Sequence, residues 1–306
     1  MGKSSAGRDD GRQARIAAQR AAHQRAQARN RLLIAGGAIV VVVAVVLALV
    51  LVRGSGGGSG QATDSGSPGP TGASLAGLVA QVTSVPATVL DQVGGGQVTS
   101  APSAITGDPL TSDGKPEMLY IGAEYCPYCA AERWSMIVAL SRFGTFAGLA
   151  TIRSAARNGA GTAEPYPNTA TWTFANASYT SDYLVFTPVE EFTNVPDPST
   201  GGYTTLQTPT AEQQALLEKY DAANNGAIPF IDFGNRYMSD GATYNPGVLQ
   251  GLTWSQIAAD LHDPTTQVAK SVLGAANYIT AALCKLTSDS PATACTAAVQ
   301  ALQPRI

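Results

Sequence analysis

The longest hydrophobic stretch in the chain covers residues 32–52, from Leu32 to Val52, and contains neither a charged residue nor a proline. An apolar run of about 20 residues predicts a single transmembrane helix. The residues before it, 1–31, carry eight lysines or arginines and two aspartates, a net charge of +6. Because positive charge accumulates on the cytoplasmic side of membrane helices, this pattern predicts a cytoplasmic N-terminus and an extracytoplasmic C-terminal domain in the cell membrane.

A cleaved signal peptide is the alternative interpretation of the same stretch. Signal peptides have a shorter apolar segment, about 7–15 residues long, with a small-residue cleavage site directly after it. Here the apolar run is longer and Arg53 follows it. We therefore predict an uncleaved anchor, with the basic tail contacting anionic headgroups.

The rest of the chain divides into a tether and one large domain. Residues 53–73 are rich in Gly, Ser and Pro and predict a flexible linker. Residues 74–306 are sufficient for one domain with an insertion. Since the whole chain has a charge of −3 and residues 1–31 contribute +6, residues 32–306 carry −9. That acidic balance argues against nucleic acid as a partner.

Shorter hydrophobic patterns predict the elements of the outer domain. Apolar residues at helical spacing predict one or two helices in 74–93. Apolar strands at 117–121 and 150–153, with a helix over 130–140 between them, predict a βαβ core. Further predicted elements are strands at 169–174, 183–189 and 227–233, the last leading into a hairpin, a helix at 211–223, and C-terminal helices starting at Thr253, Asp263-Pro264 and Ser290-Pro291.

Two cysteines, Cys126 and Cys129, lie at the predicted junction between the first strand and its helix. Unpaired backbone N–H groups at a helix N-terminus lower the pKa of a thiol, and Pro127 costs no hydrogen bond in a first turn. A CxxC in this setting is typical of thioredoxin-like oxidoreductases. We predict that Cys126 is an exposed nucleophile and Cys129 a buried resolving thiol.

Pro229 gives a second indication of redox chemistry. It lies near the start of a predicted strand, where a proline removes a ladder donor. In thioredoxin-like folds such a proline is cis, packs against the dithiol and leaves the backbone of the preceding residue to hold a substrate strand. We therefore predict Ile228, Pro229 and Tyr128 as substrate contacts. A trans proline on an edge strand is the alternative.

Other uses of the four cysteines stay open. A CxxC also occurs in zinc sites and in structural disulfides, but zinc needs two further ligands, and the remaining Cys and His residues lack a suitable spacing. We predict no metal and no cofactor. Cys284 and Cys295 lie near the ends of two predicted helices and are predicted to form a structural disulfide, with a second redox relay pair as the alternative.

Six stretches of the outer domain together resemble one known family. They are GKPE at 114–117, YIGAEYCPYCAAERW at 120–134, ALSRFG at 139–144, YTS at 179–181, IPFID at 228–232 and GLTW at 251–254. This pattern resembles an uncharacterised family of membrane-anchored, thioredoxin-like proteins, domain of unknown function 929, over about residues 74–300. The resemblance implies an α/β, thioredoxin-like fold with a central insertion and C-terminal helices, and no established activity.

The chain departs from the thioredoxin pattern in one respect. The strand before the motif lacks a buried acid that serves as proton relay, and Tyr120 stands at about that position. Glu117 and Glu124 flank the strand. A solvated surface position is the prediction for each, and a relay role for either stays open.

Two classes of function follow from these residues. The leading hypothesis is a membrane-anchored thiol–disulfide oxidoreductase that acts on cysteine-containing proteins and is reset by a membrane redox partner. An oxidising compartment and a low pKa of the first cysteine favour an oxidase over a reductase or isomerase. The alternative is a non-catalytic cell-surface binding module in which the CxxC is a structural disulfide.

Overall fold

The computed structural model of the protein describes residues 69–222 and 226–306. The predicted basic tail, the predicted transmembrane helix and most of the predicted tether lie outside these residues. Within the two ranges, no single helix is long and apolar enough to cross a membrane. Two short helices, Gly72–Thr83 and Ala87–Val93, meet the length and hydropathy requirements only as a pair, which is bent by 56°.

Helices and short strands alternate along the described part of the chain. The helices are α1 Gly72–Thr83, α2 Ala87–Val93, α3 Pro127–Leu140, α4 Ala211–Tyr220, α5 Trp254–Asp260, α6 Gln267–Leu286 and α7 Ala297–Gln300, with 3-10 turns at Pro246–Leu249 and Gln303–Arg305. The strands are β1 Ser103–Ala104, β2 Thr111–Ser112, β3 Lys115–Gly122, β4 Gly144–Ala147, β5 Ala150–Arg153, β6 Ala170–Thr173, β7 Ser178–Ser181, β8 Val185–Glu190, β9 Phe192–Asp197, β10 Gly202–Thr205, β11 Phe230–Phe233 and β12 Tyr237–Asp240.

A six-stranded mixed sheet organises these elements around β3. β11 pairs with β3 in antiparallel orientation, and β8 pairs with it in parallel orientation, from Glu117 opposite Val185 to Gly122 opposite Glu190. β12 and then β1 extend the sheet beyond β11, and β2 pairs with the start of β3. The fold is therefore mixed α/β, and the predicted hairpin after residue 233 is confirmed.

The predicted βαβ core is wrong in its second strand. The parallel neighbour of β3 is β8, whereas the strand at 150–153 pairs with β6 in a separate two-stranded sheet. That small sheet lies against α3, where the indole N–H of Trp134 donates to the carbonyl oxygen of Ala170 at 2.9 Å. Both candidate strands are short and apolar, and their partners are distant in sequence, so periodicity alone could not distinguish them.

The two faces of β3 pack into different parts of the core. Met118 and Tyr120 belong to the large core that includes residues of α3 and α6, whereas Leu119 and Ile121 belong to a smaller core with Leu217 of α4. This division follows from the alternation of side chains along a strand. α3 is covered along its whole length, since every residue of this helix except one is buried.

The C-terminal helices begin later than predicted, except for α5. α5 begins with the predicted capping box of Thr253 and Gln256. α6 begins at Gln267, after a Thr266 cap, rather than at Asp263. The Asp263 carboxylate instead accepts a hydrogen bond from the backbone N–H of Thr265 at 2.9 Å. Because that bond closes a local turn, the helix starts only after it.

The last helix also begins later than predicted, whereas the disulfide forms as predicted. α7 begins after a Thr296 cap rather than at Ser290. Cys284 in α6 and Cys295, just before α7, form the predicted disulfide with a Cα–Cα distance of 5.7 Å. The disulfide therefore closes the turn between the two helices.

Candidate active site

The dithiol lies where β3 is followed by α3. Cys126 is the N-cap residue of α3, and its sulfur accepts a hydrogen bond from the backbone N–H of Cys129 at 3.3 Å. Pro127 occupies the first turn of the helix, where the missing N–H costs no hydrogen bond. The predicted strand-to-helix position of the CxxC is confirmed. It places the partial positive charge of the helix N-terminus at the Cys126 sulfur.

The two sulfurs are both shielded from solvent, to different degrees. Cys129 is fully buried, and Cys126 is 4% exposed, so the prediction of an exposed Cys126 is wrong. Burial raises the pKa of the Cys129 thiol well above its ordinary value, and its hydrogen bond with Cys126 raises it further. Cys129 is therefore protonated at neutral pH.

Ile228 and Pro229 reach the dithiol from a distant part of the chain. The Cys126 sulfur donates to the carbonyl oxygen of Ile228 at 3.7 Å, a contact between residues 102 positions apart. The Ile228–Pro229 peptide is cis, as predicted. Pro229 is buried and Ile228 is partly exposed. The structure thus brings Ile228 to the Cys126 sulfur, and Pro229 follows it in the chain.

Aromatic side chains pack in one cluster with Cys126, and we call Tyr125, Tyr203 and Phe192 the aromatic wall. Tyr125 stacks on Tyr203 of β10, with ring centroids 4.0 Å apart and an interplanar angle of 6°. The Tyr203 hydroxyl donates to the Glu164 carboxylate at 2.6 Å. Tyr203 and Glu164 are 39 residues apart, so no local sequence signal indicated that they meet beside the motif. Tyr125 and Tyr203 belong to the same cluster of buried residues as Cys126.

Tyr128, the third predicted substrate contact, lies at the edge of this wall. It is partly exposed, and its ring meets that of Tyr166 edge-on, with centroids 6.1 Å apart. Phe192 and Ile228 pack against the same apolar cluster as the dithiol. The residues next to the sulfurs are therefore mainly apolar and aromatic.

A buried ion pair lies further along α3. Nη2 of Arg133 is 2.6 Å from Oε2 of Glu190 at the end of β8, and both side chains are fully buried. The same Nη2 donates to the carbonyl oxygen of Ala123 at 2.7 Å, in the loop that leads to the dithiol. Burial acts to lower the pKa of Arg133, but the charge and hydrogen bonds of Glu190, together with the charges of Tyr120 and Cys129, outweigh it, and the pKa is raised. Arg133 is therefore a permanent buried cation.

Tyr120 occupies the position on β3 where the sequence lacks an acid. Burial raises the pKa of its phenol well above the ordinary value, with Cys129 and Cys126 adding to the rise. The hydroxyl is therefore protonated. Within residues 69–222 and 226–306 neither this hydroxyl nor Nη1 of Arg133 has a hydrogen-bond partner.

Comparison with known proteins places this arrangement in one family. A family model described as a domain of unknown function, DUF929, matches residues 102–285. The chain belongs to the DUF929 family. The matched segment contains the dithiol, the ion pair and Pro229, and it includes Cys284 but not Cys295. No curated protein and no solved structure matches the chain.

The two acids that flank β3 in this DUF929 protein differ in environment. Glu124 is buried and accepts a hydrogen bond from the Thr173 hydroxyl at 2.7 Å, so the predicted surface position is wrong for Glu124. Glu117 is partly exposed. Glu124 is covered because β6, which is distant in sequence, lies over the end of β3.

The DUF929 protein also holds the carboxylate of Glu132, on α3, inside its core. Glu132 is fully buried and accepts hydrogen bonds from the backbone N–H and the hydroxyl of Thr243, both at 3.0 Å. Burial raises the pKa of Glu132 from 4.5 to about 7, while the bonds from Thr243 limit the rise. Sequence reasoning missed this residue because glutamates on helices are normally exposed.

Proposed function

We propose that this DUF929 protein is a membrane-anchored thiol–disulfide oxidoreductase that acts on extracytoplasmic proteins. The observation that carries the proposal is the 3.7 Å contact between the Cys126 sulfur and the carbonyl oxygen of Ile228. The contact joins Cys126, at the N-terminus of α3, to the peptide before Pro229. The sequence predicts Cys126 as the nucleophile and the backbone of Ile228 as the group that holds a substrate strand. The membrane location rests on residues 32–52 and on the basic tail before them.

The strand arrangement supports a thioredoxin-like fold. β3, α3 and β8 form a parallel βαβ unit with the CxxC at its strand-to-helix junction, the setting of thioredoxin-like redox motifs. The hairpin of β11 and β12 continues the sheet on the other side of β3. Within this proposal, β4 to β7 and the β9–β10 hairpin are the insertion.

As an oxidase, the Cys126–Cys129 disulfide would accept two electrons from a protein with two cysteines. A substrate thiolate attacks the Cys126 sulfur, the disulfide bond breaks, and the electron pair leaves on the Cys129 sulfur. A second substrate thiolate then attacks the substrate sulfur of the mixed disulfide, and Cys126 leaves as a thiolate. The substrate gains a disulfide, and the protein gains two electrons and the two protons. A disulfide in a membrane redox partner accepts them in the resetting step.

Two considerations favour oxidation over reduction. The N-terminus of α3 stabilises a thiolate at Cys126, which favours the reduced form of the protein as the product of the reaction. The proposed extracytoplasmic compartment is oxidising. Ile228 and Pro229 hold the substrate strand beside Cys126 in this proposal, and the exposed ring of Tyr128 packs against its side chains.

The test uses the full-length chain in a mild detergent. The oxidised protein is mixed with a reduced peptide that contains two cysteines, and disulfide formation is followed by mass spectrometry; reduction of insulin is measured in parallel. Wild type should be active in the first assay and weaker in the second. The Cys126→Ser variant should be inactive in both. Inactivity of the wild type in both assays, or full activity of Cys126→Ser, would contradict the proposal.

The burial of Cys126 favours a second candidate, the non-catalytic binding module. A cysteine that is 4% exposed and lies in one buried cluster with Tyr125 is also what a structural disulfide requires. The two candidates differ in the reaction of the folded, mildly reduced protein with iodoacetamide. Alkylation of Cys126 with protection of Cys129 supports the oxidoreductase, whereas two inert sulfurs support the binding module.

A further inference from the structure

Among the buried polar atoms without a hydrogen-bond partner in the described ranges, two donors belong to residues that interact electrostatically with Cys129. They are the hydroxyl of Tyr120 and Nη1 of Arg133, and neither has a partner within the described ranges 69–222 and 226–306. Both side chains are fully buried. A buried donor without an acceptor is costly, so its persistence calls for a role. Both groups carry their proton, as the raised pKa values of the Tyr120 phenol and of Arg133 show.

Arg133 and Tyr120 both interact electrostatically with Cys129. Arg133 is four residues after Cys129 in α3, which places both side chains on the same face of the helix. The carbonyl oxygen of Ala123, in the loop that leads to the dithiol, accepts from Nη2 of Arg133 at 2.7 Å and holds the guanidinium beside that loop. Tyr120 projects from β3 toward the same helix and interacts electrostatically with Cys129.

The ion pair leaves part of the guanidinium available. Glu190 occupies Nε and Nη2 of Arg133, at 2.9 and 2.6 Å. A purely structural pair would require no more, yet Nη1 remains in the same buried space without a carboxylate. The titratable groups that interact with Cys129 include Cys126 and Tyr120, and Glu190 interacts with Tyr120 and Arg133.

We propose that Tyr120 and Arg133 stabilise negative charge on the Cys129 sulfur during disulfide exchange. The resting Cys129 is a neutral thiol and does not need these donors. A charge appears on its sulfur when Cys129 leaves in the oxidation of a substrate, and again when it attacks a mixed disulfide at Cys126. Donors held in place before that charge forms stabilise the transition state. The biological role of this site rests on the proposed function, but the chemistry of the dithiol can be measured without a protein substrate.

The test is the reaction of the reduced, full-length protein with the aromatic disulfide dithiobis(nitrobenzoate) at pH 7, followed by stopped flow. The Cys126 thiolate attacks the reagent, its disulfide breaks, and one coloured thionitrobenzoate leaves. The Cys129 thiolate then attacks the Cys126 sulfur, a second thionitrobenzoate leaves, and the Cys126–Cys129 disulfide forms. The first phase reports Cys126 and the second reports Cys129.

Tyr120→Phe should slow the second phase about tenfold, the loss expected when one hydrogen bond to a charged sulfur is removed. Arg133→Gln combined with Glu190→Gln should slow it at least as much, without leaving a buried unpaired charge. The first phase should stay within twofold of wild type in both variants. Glu190→Gln alone, which keeps the cation, should not slow the second phase.

Tyr179→Phe is the matched control, because the Tyr179 hydroxyl donates to Leu140 at the opposite end of α3. It should leave both phases unchanged. A second phase within twofold of wild type in Tyr120→Phe would overturn the inference, as would equal slowing in Glu190→Gln. If the double variant does not fold, Tyr120→Phe decides the question. Biphasic release of thionitrobenzoate, with the expected slowing in the variants but without turnover of any protein substrate, would contradict the proposed function and support the inference. A folded wild type that releases no thionitrobenzoate would contradict both.

Discussion

Replacement of Glu132 by glutamine should make the protein more stable at pH 8 and leave its stability at pH 4.5 nearly unchanged. Glutamine has the same shape as the protonated acid and can keep both contacts with Thr243. The backbone N–H of Thr243 donates to the amide oxygen, and the amide nitrogen donates to the Thr243 hydroxyl. The substitution therefore removes the titration and little else.

The magnitude follows from the pKa of Glu132 in the two states. The folded protein keeps the proton up to about pH 7, whereas the unfolded chain loses it near 4.5. Between these values the folded state binds more protons, so its stability falls as the pH rises. The difference of about 2.5 pH units, at about 1.36 kcal/mol per unit, gives roughly 3 kcal/mol. This contribution is fully present below pH 4.5 and is lost above pH 7.

Urea unfolding at pH 4.5, 6 and 8 measures the effect, with tryptophan fluorescence as the signal. Trp134 and Trp172 are fully buried and pack edge-on, with ring centroids 5.3 Å apart, so their emission reports loss of the core. The free energy of unfolding of Glu132→Gln minus that of wild type should rise from near zero at pH 4.5 to roughly 3 kcal/mol at pH 8. Asp232, whose pKa burial raises to about 6, titrates in both proteins and cancels from this difference.

Glu218→Gln serves as the control, because Glu218 is exposed on α4 and accepts only a surface hydrogen bond from Gln214. Its pH profile should follow that of wild type. A difference between Glu132→Gln and wild type that stays constant from pH 4.5 to 8 would refute the reasoning. It would mean that the buried carboxyl has the same pKa in the folded and unfolded states.

Three further predictions concern other parts of the chain. Replacement of Cys284 and Cys295 by alanine should lower the free energy of unfolding in urea by roughly 3 kcal/mol, the entropy of closing an 11-residue loop. Loss of activity at the Cys126–Cys129 dithiol without loss of stability would instead indicate a redox relay. Arg133→Met should lower the free energy of unfolding by about 3–5 kcal/mol, because it leaves Glu190 charged, buried and unpaired. Arg133→Met combined with Glu190→Leu should recover most of that loss in the same assay, and an equal loss in the two variants would contradict this expectation. Intact mass of protein from the membrane fraction should show that residues 32–52 are retained, and a mature protein beginning near residue 60 would contradict the anchor prediction.

Local sequence signals predicted those features that neighbouring residues determine. Cys126 and Pro127 indicate a helix start on their own, and Thr253 with Gln256 forms a capping box three residues apart. The contact of Ile228 with Cys126 could be predicted only from the general pattern of thioredoxin-like folds, because the two residues are 102 positions apart.

Features that depend on distant partners escaped the sequence reasoning. The strand at 150–153 has the apolar character of a core strand, but β8 is the strand that reaches β3. Arg133 and Glu132 are charged residues on a helix, which normally lie in water, and each is buried because a partner from elsewhere in the chain satisfies it. No residue beside Arg133 in the sequence indicates that Glu190 is its partner.

The burial of α3 also determines where this protein can change during evolution or in a laboratory library. Every residue of the helix except Tyr128 is enclosed by the core, so a substitution at any other position must be matched by repacking of its neighbours. Tyr128 is only partly buried, with its ring edge-on to that of Tyr166, and it is the second of the two residues between the cysteines of the CxxC motif. Random mutagenesis of α3 should therefore return functional sequences that differ mainly at Tyr128, and the redox behaviour of the dithiol can diverge there without loss of the fold.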